Sequence, residues 1–98
     1  MSAIASIAQS GLQAAQQRLN ASAHNVANQQ TEGFRRQQVA QQAMPEGGVT
    51  AQTVRGQQGV ALEQEAVEQI SASYAYLANL QVLRTNDRMQ GALLDERA

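Results

Sequence analysis

Two interleaved seams in the first third of the chain constrain its fold more than any other feature. Ala8, Leu12, Ala15, Leu19, Ser22 and Val26 recur at spacings of four, three, four, three and four, the period of one helix face. Within that series Leu12, Leu19 and Val26 are seven apart, as are the small residues Ala8, Ala15 and Ser22. A seam of large residues beside a seam of small ones suits a helical partner that approaches closely. The pattern predicts a helix over 3–30. Asn28 in a left-handed cap, followed by Thr31-Glu32-Gly33, should end it.

The middle of the chain changes period. Phe34 to Met44 is rich in Gln around Val39, Pro45-Glu46-Gly47-Gly48 reads as a turn, and Val49 to Arg55 is β-branched at Val49, Thr50, Thr53 and Val54. A β-hairpin with its linker is expected over 34–58, punctuated by Gly56 and Gly59. Alone it would be marginal, because a two-stranded hairpin buries little surface.

Residues 61–95 then predict a second long helix. Glu63, Glu65 and Glu68 lie in its first turns, and Arg84, Arg88 and Arg97 lie toward or past its end, a distribution that complements the helix dipole. Val67, Ile70, Tyr74 and Leu77 make one apolar stripe; Tyr76, Leu80, Leu83 and Leu94 make a second, offset from the first. The offset implies more than one neighbour. The expected fold is mainly α: one domain over 1–98, with two long antiparallel helices in a coiled-coil-like hairpin joined by a short β-hairpin. Leu12, Leu19, Val26, Val67, Ile70, Tyr74, Leu77, Leu80 and Leu83 are expected to carry helix pairing and assembly. A helix of about 28 residues, the length of the first, runs roughly 42 Å, too long for the ~13 Å radius of gyration of a compact chain of this size.

Composition bears on where the core comes from. The chain holds 18 Ala and 17 Gln, while Leu, Ile, Val and Phe together number 19. Large apolar side chains are scarce, and short chains bury a small share of their surface. The polar face of the first helix carries Gln9, Gln13, Gln16, Gln17, Asn20 and Asn25, with Arg18 the only certain charge. In a homopolymer every interface charge meets copies of itself, and unpaired burial of charge is costly. Neutral amides avoid that cost, so this helix reads as one buried among like subunits.

Several function classes drop out. No cysteine is present, which excludes a disulfide framework, a zinc ribbon and a thiol nucleophile. Seven Arg and no Lys, scattered against eight acids, leave no basic face for nucleic acid. No apolar run is long enough to span a bilayer, so no membrane insertion is expected. Residues 1–9 lack Lys and Arg, and the apolar run from Ala3 to Ala8 is broken by Ser6, so no cleavable signal peptide is read there. With one His and no Gly-x-Ser-x-Gly elbow there is no catalytic set. Glu63, Glu65 and Glu68 read as dipole partners without a metal ligand set. Gly47-Gly48 lacks the Lys of a phosphate loop. No enzyme, no cofactor and no metal are expected.

Two stretches resemble a known family. Ser10-Gly11-Leu12, with Asn25-Val26-Ala27-Asn28-Gln29-Gln30-Thr31-Glu32-Gly33-Phe34-Arg35-Arg36, resembles the N-terminal signature of bacterial flagellar axial proteins of the rod and hook. Glu32 stands where Pro is common in that pattern. Tyr76-Leu77-Ala78-Asn79, continuing through Thr85, Asp87 and Met89, is similar to the family's C-terminal signature. The short middle segment looks most like that of a small rod protein. The resemblance implies a structural subunit of the basal-body rod that polymerises through its terminal helices. It implies as partners copies of itself, other rod and hook axial proteins, and the flagellar type III export apparatus. It also implies a place in the periplasm-spanning basal body, reached without a cleaved signal. The alternative is a soluble helical adaptor or regulator that derives from an axial protein and does not polymerise.

Individual residues carry local expectations. Asn25 and Asn28 should cap the helix end, or contact another subunit. Gly33 should supply a positive φ, with Phe34 anchoring the turn. Tyr74 and Tyr76 should pack with their hydroxyls at a boundary. His24 should be solvated or lie at an interface, and Arg35 and Arg36 should be solvated.

Overall fold

The computed structural model describes residues 3–56 and 59–97, the last three of these by backbone alone. Four elements follow in order: α1 (Ala3–Ala27), β1 (Gln37–Ala43), β2 (Val49–Arg55) and α2 (Leu62–Arg97). The two helices pack along each other, and the strands form an antiparallel two-stranded sheet that packs on α1 and not on α2. The extents are 63 × 25 × 14 Å and the radius of gyration is 17.2 Å, against ~13 Å for a compact chain of this length. The expected mainly α architecture is therefore present, a long plank with one thin side.

The helices approach along small residues. Ala5, Ala8, Ala14, Ala15 and Ala21 of α1 and Ala72 of α2 are the buried apolar side chains among the described residues. A core of alanine contributes little per residue, because burial energy follows the apolar area removed from water. The accessible surface of 6887 Å² exceeds the roughly 5,400 Å² typical of a compact monomer of this mass. Gly11 marks the closest approach. A Cβ there would collide with the Asn79 side-chain amide.

The hairpin has the expected second strand and a turn over 44–48. Gln37 pairs with Arg55 and Ala43 with Val49. Gly47 and Gly48 take φ of 98° and 87°, which side chains with a Cβ rarely adopt. They are also close to α1: a Cβ on Gly47 would meet Ile7 at 2.8 Å, and one on Gly48 would meet the Ser10 hydroxyl at 2.7 Å. The turn needs glycine for its backbone and for its seat on the helix.

One expected boundary moves, the end of the first helix. The first helix stops at Ala27 rather than residue 30, and no residue other than glycine has positive φ among the described residues. Asn28 is not a left-handed cap. Its Nδ2 donates back to the His24 carbonyl at 2.9 Å, while tight turns carry the chain onward through Thr31 N–H to Asn28 O (3.0 Å). Gly33, with φ of 75°, makes the left-handed step. At the linker, Gln57 and Gln58 lie outside the described residues, as does the side chain of Arg97.

Candidate functional site

The polar centre of the molecule lies where the end of α1, the base of the hairpin and the start of α2 meet. Asn25 is wholly buried. Its Oδ1 accepts from the Gln37 N–H at 2.6 Å, and its Nδ2 donates to the Gln37 carbonyl at 2.9 Å and to Glu65 Oε1 at 3.2 Å. The side-chain amide thus does for the first residue of β1 what a neighbouring strand would do. Asp in its place would lack the donor and set a second carboxylate beside Glu65.

Glu65 is itself fully buried, and Arg36 is only 6% exposed. The Arg36 Nε donates to Glu65 Oε2 at 2.8 Å, and the Ser22 hydroxyl donates to the Glu65 backbone carbonyl at 3.3 Å. Burial alone would push the Glu65 carboxyl upward. Hydrogen bonds from Arg36, Asn25 and Ser22, with the Arg36 charge, outweigh that and hold it below the ordinary carboxylate value. Among the described residues no buried side-chain polar atom lacks a partner. A fully satisfied network of this kind fixes the register of the elements it joins.

This corrects the expectation for Arg36 and adds to those for Glu65, Glu68 and Asn25. Arg36 is not solvated; it is the side chain by which the base of the hairpin reaches α2. Glu65 lies in the first turn of α2, as expected of a dipole partner, and is also the centre of the network. Glu68 is engaged as well, since Arg18 Nε reaches its Oε1 at 2.6 Å while Arg18 Nη2 donates to the Ser71 hydroxyl at 2.9 Å. Asn25 serves tertiary structure more than a local cap. The sequence signal that could have found the network was the spacing of Asn25 from Gly33: a helix end followed by a sharp turn brings Arg36 back over the helix.

Smaller joints hold the remaining motif residues. The Ser10 hydroxyl donates to the Ile7 carbonyl at 2.7 Å and accepts from the Val49 N–H at 3.1 Å, tying the hairpin turn to α1. With its amide oxygen toward β2, Gln17 accepts from the Thr53 N–H at 3.1 Å and its Nε2 donates to the Ala51 carbonyl at 3.3 Å. The Thr31 hydroxyl reaches Asn28 Oδ1 at 3.3 Å, and the Phe34 ring meets His24 at 5.4 Å between centroids. Asn79, against Gly11, donates to the Ala75 carbonyl at 2.8 Å. Arg35, Thr85 and Asp87 are exposed, Met89 is 64% exposed, and Tyr76 is half-buried.

The residues expected to pair helices separate into two groups. Leu12, Leu19, Val26, Leu80 and Leu83 are half-buried. Val67, Ile70, Tyr74 and Leu77 are 56–70% exposed, so pairing inside one chain does not rest on them. The geometric reason is that the α1-facing side of α2 is taken by Glu65, Ala72 and Asn79, which lie across the helix from that stripe. A further apolar cleft, of about 460 Å³, opens between Ile4 and Ala78, Val82 and Met89. Among the described residues no group of His, Cys, Asp and Glu could hold a metal ion, and no helix is long and apolar enough to cross a membrane.

A comparison with protein families picks out the α1 side of this joint, Ser22 and Asn25, while Arg36, Gln37 and Glu65 lie beyond the matched segment. Residues 6–35 match the family model described as flagella basal body rod protein. The resemblance is to the flagellar rod family. The matched segment runs from α1 through the turn at Gly33 and contains Ser10, Gly11, Asn25, Asn28, Thr31, Phe34 and Arg35. It is under a third of the chain; Tyr76, Asn79, Thr85, Asp87 and Met89 lie beyond it. No curated protein matches the chain. The rod family is structural, and the matched residues seat a hairpin and a second helix on the first.

Proposed function

We propose that the chain is a structural subunit of the bacterial flagellar basal-body rod that polymerises through its helices. The observation that carries this reading is the rod-protein match over residues 6–35, which includes Ser10, Arg18, Ser22 and Asn25, the α1 side chains that reach the hairpin and α2. Shape supports it. The plank is long, its internal core is alanine, and many of its larger apolar side chains face outward, as expected of a subunit whose core is completed by its neighbours. Its partners are copies of itself and other rod and hook axial proteins, reached by way of the type III export apparatus, and its place is the basal body. It performs no catalysis. The role is mechanical: packed helices transmit torque, and the hairpin contacts adjacent subunits.

Fractionation of isolated basal bodies tests the reading. A tagged chain should copurify with the rod, and its deletion should leave cells non-motile with incomplete basal bodies. Motile deletion cells, with the chain absent from purified basal bodies, would support the non-polymerising adaptor instead.

A further inference from the structure

The back of α2 carries a feature that the chain's own packing leaves unused. Val67, Ile70, Tyr74 and Leu77 are spaced three, four and three apart and are 67%, 56%, 70% and 58% exposed. At 100° per residue they lie on the side of α2 opposite the face that meets α1. The same spacing extends in both directions: Glu63 lies four residues before Val67, and Gln81 and Arg84 lie four and seven residues after Leu77. Glu63 and Arg84 are exposed, and the only charges between them, Glu65 and Glu68, are bound on the α1 side. The stripe is therefore apolar or neutral for about three heptads, with an acid at one end and a base at the other. Ala66 and Ser73 beside it form a shallow groove with Ile70 and Tyr74, small enough to admit another helix closely.

The end charges select the occupant and its direction. In a parallel pair of α2 helices, Glu63 would face Glu63 and Arg84 would face Arg84 of the other copy. In an antiparallel pair, Val67 layers against Leu77 and Ile70 against Tyr74, each with the other copy's residue. Glu63 then falls opposite Gln81, one layer (~5 Å along the axis) from the other copy's Arg84, within reach of a guanidinium. We propose that α2 of one chain pairs antiparallel with α2 of a second copy through this stripe. Such a pair is isologous and closes on itself, whereas a filament needs contacts that do not close. The pairing stands independently of the rod reading. Its consequence rests on that reading: a closed pair masks the outward stripe and holds the chain as a stored form before it joins a polymer.

Three measurements on the full purified chain test the proposal. Sedimentation equilibrium should give a dimer, with I70E raising its dissociation constant by about thirtyfold or more at unchanged helix content. Orientation is read by cysteines, which the native chain lacks. Under mild oxidation a mixture of V67C and L77C chains should form disulfide-linked dimers. V67C alone should not, because the two copies of that position lie about 15 Å apart along an antiparallel pair. E63R and R84E should each weaken the dimer and together restore it, a readout that does not depend on how I70E folds. A chain that is monomeric at roughly 100 µM, far above the dissociation constant of a functional dimer, overturns the pairing. So does V67C linking to itself, or a polymer in place of the dimer, and the last result would leave the rod reading standing.

Discussion

Removing the Arg36 guanidinium is the sharpest perturbation of the joint. In Arg36→Ala the Glu65 carboxylate stays fully buried and keeps Asn25, but loses its charge partner at 2.8 Å. Breaking a buried pair on one side costs about 3–5 kcal/mol. A 98-residue chain has on the order of 5–15 kcal/mol of stability in all, and an alanine core puts this one toward the low end. The single change therefore takes a third or more of the total. The double variant Arg36→Met/Glu65→Leu removes both charges, and Asn25 still holds Gln37 at 2.6 and 2.9 Å. Apolar replacement of both partners is often neutral, so the double variant should lie within about 1 kcal/mol of wild type. Urea unfolding followed by far-ultraviolet circular dichroism, at protein concentrations low enough to keep the chain monomeric, measures both. A loss below about 1 kcal/mol for Arg36→Ala, or a double variant as unstable as the single, would refute the view that Glu65 is a buried charge held by Arg36.

The remaining predictions concern pH and close approach. Glu65 is held below the usual value of 4.5, so its contribution is complete above that value and disappears as pH falls through the lower folded value; melting temperature from pH 7 to pH 3 should drop in the acid range, with a shallower slope in Glu65→Gln. Gly11→Ala would gain up to about 1 kcal/mol of helix propensity, but its Cβ displaces the Asn79 amide. It should gain nothing alone and become stabilising when combined with Asn79→Ala, and chemical denaturation of the three variants decides this. Gly33→Ala meets no atom within 4 Å, yet its φ is +75°. It should cost about 1–2 kcal/mol from backbone strain alone, and Gly33→Asn should cost less. Ser10→Ala leaves the Val49 N–H without its acceptor at 3.1 Å; faster amide exchange at Val49, with little change at Arg55, is the expected result.

The element order, the two long helices, the second strand and the positive φ at Gly33 were legible in the sequence because each depends on neighbours within a few residues. Periodicity spaced the helices, β-branching marked Val49 to Arg55, and glycine marked the turns. The site was half legible. Motif residues such as Asn25 and Gly11 could be recognised, but their partners Gln37 and Asn79 could not be read from spacing. Arg36 looked like an ordinary solvated charge, and Glu65 like a partner of the helix dipole alone. Only the fold brings two residues 29 apart in sequence to 2.8 Å and removes water from both.

The scarcity of large apolar residues was fixed by composition, and so was the capacity for close helix approach through alanine. Which face of α2 meets α1 was decided by tertiary structure. Val67, Ile70, Tyr74 and Leu77 form the more hydrophobic stripe, yet the helix turns Glu65, Ala72 and Asn79 inward. The physical reason is that Glu65 needs Arg36, Asn25 and Ser22 to be buried at all, and Asn79 needs the space over Gly11. Those polar and steric requirements each have one geometric solution here, whereas apolar contact has no direction and can be satisfied by another chain.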